Sequence, residues 1–106
     1  MEYPVAPTPV AVGTEPVRWT IETGLGGTRE MKIRCAKEHG PVEAELRVLG
    51  ADGSVVDSKC WVIPAGEGAP TWSGPDGGLG FNAGRYTVEF RVIRGDGVEV
   101  TALLVR

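Results

Sequence analysis

The chain has 106 residues, 42% hydrophobic and 24% charged, which suits a single globular core and excludes intrinsic disorder. Eleven Lys and Arg stand against 14 Asp and Glu, for a formal net charge of −3 without a run of like charges. A nucleic-acid partner, which needs a basic face, is therefore not expected, and no apolar run approaches the ~20 residues of a membrane-spanning helix.

The first element is a proline-punctuated segment, residues 1–16, with Pro4, Pro7, Pro9 and Pro16. Such spacing favours an extended polyproline conformation without internal hydrogen bonds, reaching on the order of 50 Å at ~3.1 Å per residue. The segment is also apolar, through Tyr3, Val5, Val10 and Val12. Two readings stand side by side: a frayed terminus, or an arm whose Tyr3, Pro4, Val5, Pro7, Pro9, Val10 and Val12 dock on a neighbouring subunit. Its start lacks the basic residues and continuous apolar stretch of a secretory signal, so synthesis in the cytoplasm without export cleavage is expected.

From Val17 onward the hydrophobic period is two, the signature of half-buried strands. Val17, Trp19 and Ile21 alternate with Arg18, Thr20 and Glu22, and Met31, Ile33 and Cys35 alternate with Lys32 and Arg34. Ala44, Leu46 and Val48 form a third such face. Gly50-Ala51-Asp52-Gly53 reads as a hairpin turn, because Asp-Gly tolerates the positive φ values required there. The following run, Ser54 to Ile63, leaves its inward face open: Val56, Cys60 and Val62 compete with Val55, Trp61 and Ile63.

Pro64 to Ser73 reads as a long connection. A glycine-rich bend then leads into a strand in which Tyr86, Val88, Phe90 and Val92 face one way and Arg85, Thr87, Glu89 and Arg91 the other. Val98, Val100, Ala102 and Leu104 close the chain as a last strand. The pattern predicts an all-β protein: an immunoglobulin-like antiparallel β-sandwich of about seven strands over residues 17–106, preceded by the arm of residues 1–16.

Asn82-Ala83-Gly84-Arg85-Tyr86 resembles the tyrosine corner of Greek-key sandwiches, in which the phenol bonds to backbone a few residues upstream. Trp72, Asn82, Gly84 and Tyr86 are thus the expected structural corner. The position two residues after Tyr86 is Val88, where antibody domains carry a half-cystine, so their inter-sheet disulfide is not expected.

A wider resemblance covers residues 42–106. Val42-Glu43-Ala44-Glu45-Leu46-Arg47-Val48-Leu49, Asp52-Gly53, Val55-Val56, Trp72-Ser73-Gly74 and Ala83-Gly84-Arg85-Tyr86-Thr87-Val88 together resemble the immunoglobulin-like module of flagellar hook-capping proteins. Similar modules recur in phage structural proteins and secreted enzymes. The resemblance implies a fold first and a role in assembly second.

Candidate chemistry is sparse. Cys35 and Cys60 have no neighbouring Cys or His at metal-ligand spacing and are expected to be reduced, buried thiols rather than a disulfide or zinc pair. The aspartates of Asp52-Gly53, Asp76-Gly77 and Asp96-Gly97 lie in three separate turns, which suits turn chemistry better than a calcium site. Gly78, Gly80 and Gly84 do not form a dinucleotide or phosphate loop, and His39, beside Gly40-Pro41, reads as a loop residue. No catalytic, cofactor-binding or metal residue is assigned, and no enzymatic activity or cofactor is expected.

Trp19, Trp61 and Trp72 admit two roles, core packing or stacking against sugars, with packing preferred. The function these features imply is a structural or assembly protein, oligomeric in context. Its form would be a small phage virion component, such as a capsid decoration or head–tail accessory protein. Its partners would be protein subunits, the major capsid protein or its own copies, with neither nucleic acid nor membrane involved. The alternatives are a carbohydrate-binding module and a hook-cap-like module of an extracellular assembly.

Overall fold

In a computed structural model of the chain, residues 1–5, 10–35, 40–65 and 71–106 are described. Among them the protein is all-β, without a helix. The strands are β1 (Glu2–Pro4), β2 (Val10–Val12), β3 (Val17–Thr23), β4 (Gly27–Arg29), β5 (Met31–Cys35), β6 (Val42–Leu49), β7 (Val55–Ile63), β8 (Thr71–Ser73), β9 (Leu79–Phe81), β10 (Gly84–Arg94) and β11 (Val98–Val105). All pairings are antiparallel.

Two sheets form the layers. In sheet I the order is β1-β11-β5-β8, with β2 also paired to β11; in sheet II it is β3-β10-β6-β7. A small third sheet joins β4 to β9. The alternation read from sequence sets what each layer buries. Trp19 and Ile21 of β3, Ala44, Leu46 and Val48 of β6, and Val88, Phe90 and Val92 of β10 meet Met31, Ile33 and Cys35 of β5 and Val98, Val100 and Leu103 of β11 in one core.

Among the described residues there are eleven strands rather than about seven, because β1, β2, β4, β8 and β9 are three residues long. A run that short shows no period and sits in Gly/Pro sequence that reads as turn. The order of the last strands also departs from the immunoglobulin arrangement, in which they share a sheet. Here β10 belongs to sheet II and β11 to sheet I.

The N-terminal segment is not an arm held away from the sandwich. Glu2, Tyr3 and Pro4 lie opposite Leu104, Leu103 and Ala102, and Val10, Ala11 and Val12 opposite Val100, Glu99 and Val98. Val5 donates its N–H to the Thr101 carbonyl at 3.1 Å, and the Met1 ammonium reaches the Val105 carbonyl at 2.6 Å. Val5 is only 7% exposed and Val12 only 3%, and Tyr3 and Val10 pack against the same core.

Two physical facts explain the correction. Polyproline and β backbones are neighbours in φ/ψ space, and Pro4, which lacks an N–H, occupies an edge strand where that loss is tolerated. The apolar side chains then settle the matter by burial. Pro7 and Pro9 lie outside the described residues. After β2 the chain changes layer: the Gly13 carbonyl accepts the Val92 N–H at 2.8 Å, and β3 then joins β10 in sheet II.

The open face of the β7 run is settled by its register on β6, with a bulge at its start. Trp61 lies opposite Ala44 and Ile63 opposite Val42, both facing the core, whereas Cys60 and Val62 lie opposite Glu45 and Glu43 on the outside. The register shifts between Val48 and Leu49, which pair with Asp57 and Val55. Both valines at the start of the strand are consequently exposed, and neither of the two periods fits the whole run.

Candidate functional site

Sheet II and sheet I present very different outer faces. On sheet II the outward residues of β10 meet opposite charges across the strands. Glu89 lies opposite Arg18 on β3 and Arg47 on β6. It accepts from Arg18 Nε at 2.5 Å and from the Arg47 guanidinium at 2.6 Å and 3.2 Å. Arg91 pairs with Glu45 at 2.8 Å, Arg85 with Glu22 at 2.9 Å, and Arg94 with Glu43 at 4.0 Å. The arginines of β10 thus form a solvated face whose charges are answered in place, not a basic patch.

Glu89 is the one buried charged side chain of this ladder, 5% exposed because the two arginines lie over it. The hydrogen bonds from Arg47 hold its carboxyl below the usual carboxylate range against the upward push of burial, and the bond from Arg18 lowers it further. The alternating charges on β10 are visible in sequence. Their cross-strand partners are not, because register depends on tertiary pairing.

The Gly/Pro-rich stretch after β8 is built onto the β4–β5 segment. A Cβ on Gly74 would stand 2.0 Å from the Met31 carbonyl oxygen, and one on Gly78 2.0 Å from that of Arg29. Gly78 also has φ +63°, so glycine is required there both for space and for conformation. Pro75 is buried between them, and the Pro75 carbonyl accepts the Gly78 N–H at 3.4 Å.

Further ties hold this stretch to β7. Lys59 Nζ donates to the Asp76 carbonyl at 3.1 Å, Trp61 Nε1 to Ser73 Oγ at 3.0 Å, and the Gly80 N–H to Asp57 Oδ2 at 2.8 Å. The other oxygen of Asp57 accepts the Ser58 N–H at 2.9 Å.

Along this stretch runs a groove of about 570 Å³, lined by Thr28, Glu30, Lys32, Trp72, Ser73 and the Gly74–Gly78 turn. Trp72 lies opposite Arg34 on the outside of sheet I, and the Arg34 guanidinium sits 5.7 Å from the indole centroid. Glu30 and Lys32 are paired at 3.1 Å on the rim. Thr28 and Glu30 escape sequence reading because β4 and its exit look like plain turn, and Lys32, read as an outward residue of β5, comes beside Trp72 only through the pairing with β8. The signal that points here is the density of glycines at 74–80, which marks close backbone approach.

The remaining expected residues fall as follows. The Tyr86 hydroxyl donates to the Asn82 carbonyl at 2.7 Å, and its ring meets Phe81 edge-on at 5.0 Å between centroids. Gly84 has φ +151° at the entry to β10. Trp72 is not part of this corner; it stands in sheet I, while Tyr86 belongs to sheet II.

Trp19 is core, and Trp61 packs at 6.0 Å against Phe90. Cys35 is a buried free thiol, pushed by burial up to about 11, whereas Cys60, also free, is exposed rather than buried because it lies opposite Glu45 on the outer face of β7. His39 lies outside the described residues. Among the described residues no group of three or more His, Cys, Asp and Glu converges as metal ligands do. No protein-family model and no curated protein sequence matches this chain.

Proposed function

We propose that the chain is a non-enzymatic structural module that docks on neighbouring protein subunits of a larger assembly, as a virion decoration or head–tail accessory protein does. The reading is supported chiefly by the outer edge of sheet II. There Val55 and Val62, 49% and 62% exposed, flank Cys60 in an uncharged strip along β7 beside the ionic ladder. Scattered exposed apolar residues are ordinary, but a strip on a long edge strand suits burial against a protein.

The ladder limits what the rest of that face does. Its arginines are already engaged with glutamates, so it adds register and solubility rather than a strong field. Kinship with immunoglobulin-like modules rests on the two-layer antiparallel build and on the Tyr86 corner, not on the order of the last strands. Docking belongs to the sandwich itself, since Tyr3, Pro4, Val5, Val10 and Val12, the described residues expected to reach a neighbour, are engaged with β11.

Density imaging of purified virions or comparable particles tests the reading. The chain should be present as a regular component, and the Val55→Lys, Val62→Lys double variant should fold but leave the particle. Particles that retain the double variant at wild-type occupancy would refute docking through β7.

A further inference from the structure

We propose that the Trp72 groove is a carbohydrate-binding site, taking a neutral sugar unit of an oligosaccharide against the indole. This goes beyond the assembly role and uses a different face. The three tryptophans have separate fates: Trp19 is core, Trp61 is fixed by Phe90 and Ser73, and Trp72 lines an open groove.

A pyranose offers a C–H face, which packs on an aromatic ring, and a rim of hydroxyls, which need both acceptors and donors. The groove holds that combination. Glu30 and Asp76 supply carboxylates, Thr28 a hydroxyl and Lys32 an ammonium. Gly77 and Gly78 contribute wall without side chains, so a ligand can approach backbone closely.

The groove is also preorganised. Gly74 and Gly78 are seated on the carbonyls of Met31 and Arg29, and Ser73 and Asp76 are tied to Trp61 and Lys59. A wall fixed in advance loses little freedom on binding. The charges select the class of ligand. Glu30 is paired with Lys32 and lies 4.0 Å from Arg106, so its charge is answered in place, and the Arg34 guanidinium stands 5.7 Å from the indole centroid. A peptide added as a strand would find only three residues of β8 to pair with.

The test uses the full chain and four soluble hexasaccharides: β-1,4-linked glucose, β-1,4-linked N-acetylglucosamine, β-1,4-linked xylose and α-1,4-linked glucose. Tryptophan emission and calorimetry follow binding. At least one sugar should bind saturably, and Trp72→Ala should weaken it at least about tenfold, the size of effect expected for a central aromatic contact.

The Glu30→Gln, Asp76→Asn double variant should weaken it as well. Both side chains are exposed, so this second variant keeps the test valid if Trp72→Ala folds poorly. Arg85→Ala, on the other sheet, should leave binding unchanged. Failure of all four sugars to bind the wild-type chain at millimolar concentration would overturn the proposal, as would undiminished binding by both groove variants.

Discussion

Tyr86 closes its own strand entry: its hydroxyl donates to the carbonyl of Asn82, four residues upstream, at 2.7 Å. The ring remains packed on Phe81, so Tyr86→Phe removes the hydrogen bond and little else. The expected loss is about 1 kcal/mol, the net value of one such bond, seen as a Tm lower by roughly 4–8 °C. An unchanged melting curve would show that the bond adds nothing to stability.

The glycine contacts predict a graded series. Gly78→Ala and Gly74→Ala each place a methyl group 2.0 Å from a backbone oxygen, and Gly78 adds a positive φ. Each should destabilise by about 3 kcal/mol or more, since overpacking and backbone strain combine. Gly24→Ala meets nothing within 4 Å and should change stability by less than about 0.5 kcal/mol. Urea unfolding of the three variants checks the ranking.

Glu89 gives the protein an acid-sensitive joint. Its carboxyl titrates lower in the folded chain than its ordinary value of about 4.3. The unfolded chain therefore binds the proton first on acidification. The stabilisation is complete above that ordinary value and is lost as pH falls through the folded one. Glu89→Gln should lower stability at neutral pH and flatten this part of the acid limb, as measured by denaturation at a series of pH values. An equally steep limb in the variant would assign it to other carboxylates.

The two thiols should separate kinetically. Cys60 is exposed and should react with a disulfide reagent in the native chain, although partial burial and then Glu45 and Glu43 raise its pKa and slow the reaction. Cys35, buried and with its pKa near about 11, should react only on unfolding. Two equally fast thiols at pH 8 would contradict the burial of Cys35.

Val12 distinguishes an arm from a core strand. Val12→Ala should cost about 2 kcal/mol, as removal of buried methyl groups does, and deletion of residues 1–5 should lower the melting temperature. An arm free of the sandwich would show neither effect.

What could be read in advance follows the reach of each signal. The faces of β3, β5, β6 and β10 are legible because each is at least five residues long and alternates, whereas that of β11 is legible only as far as Val100: a register shift between Val100 and Ala102 turns Leu103, not the expected Leu104, into the core. The corner at Tyr86 is legible because its bond spans four residues. The placement of β1 and β2 is not, since their partners lie on β11, about ninety residues away or more. The groove is hidden for the same reason. Trp72 stands out in the sequence, but Glu30 and Lys32 join it only through the pairing of β5 with β8.

Of these eleven strands β11 leaves the ribosome last, and it is the strand to which β1, β2 and β5 all pair. Until it emerges, sheet I has no centre, and Val5 and Val12 have nothing to be buried against. The strands β1 and β2 therefore wait for a partner that follows them by about ninety residues, and sheet I closes only after the strands of sheet II are all present. Such long-range closure is slow and leaves strand edges exposed meanwhile. Loss of even the last few residues would undo the first strand together with the last.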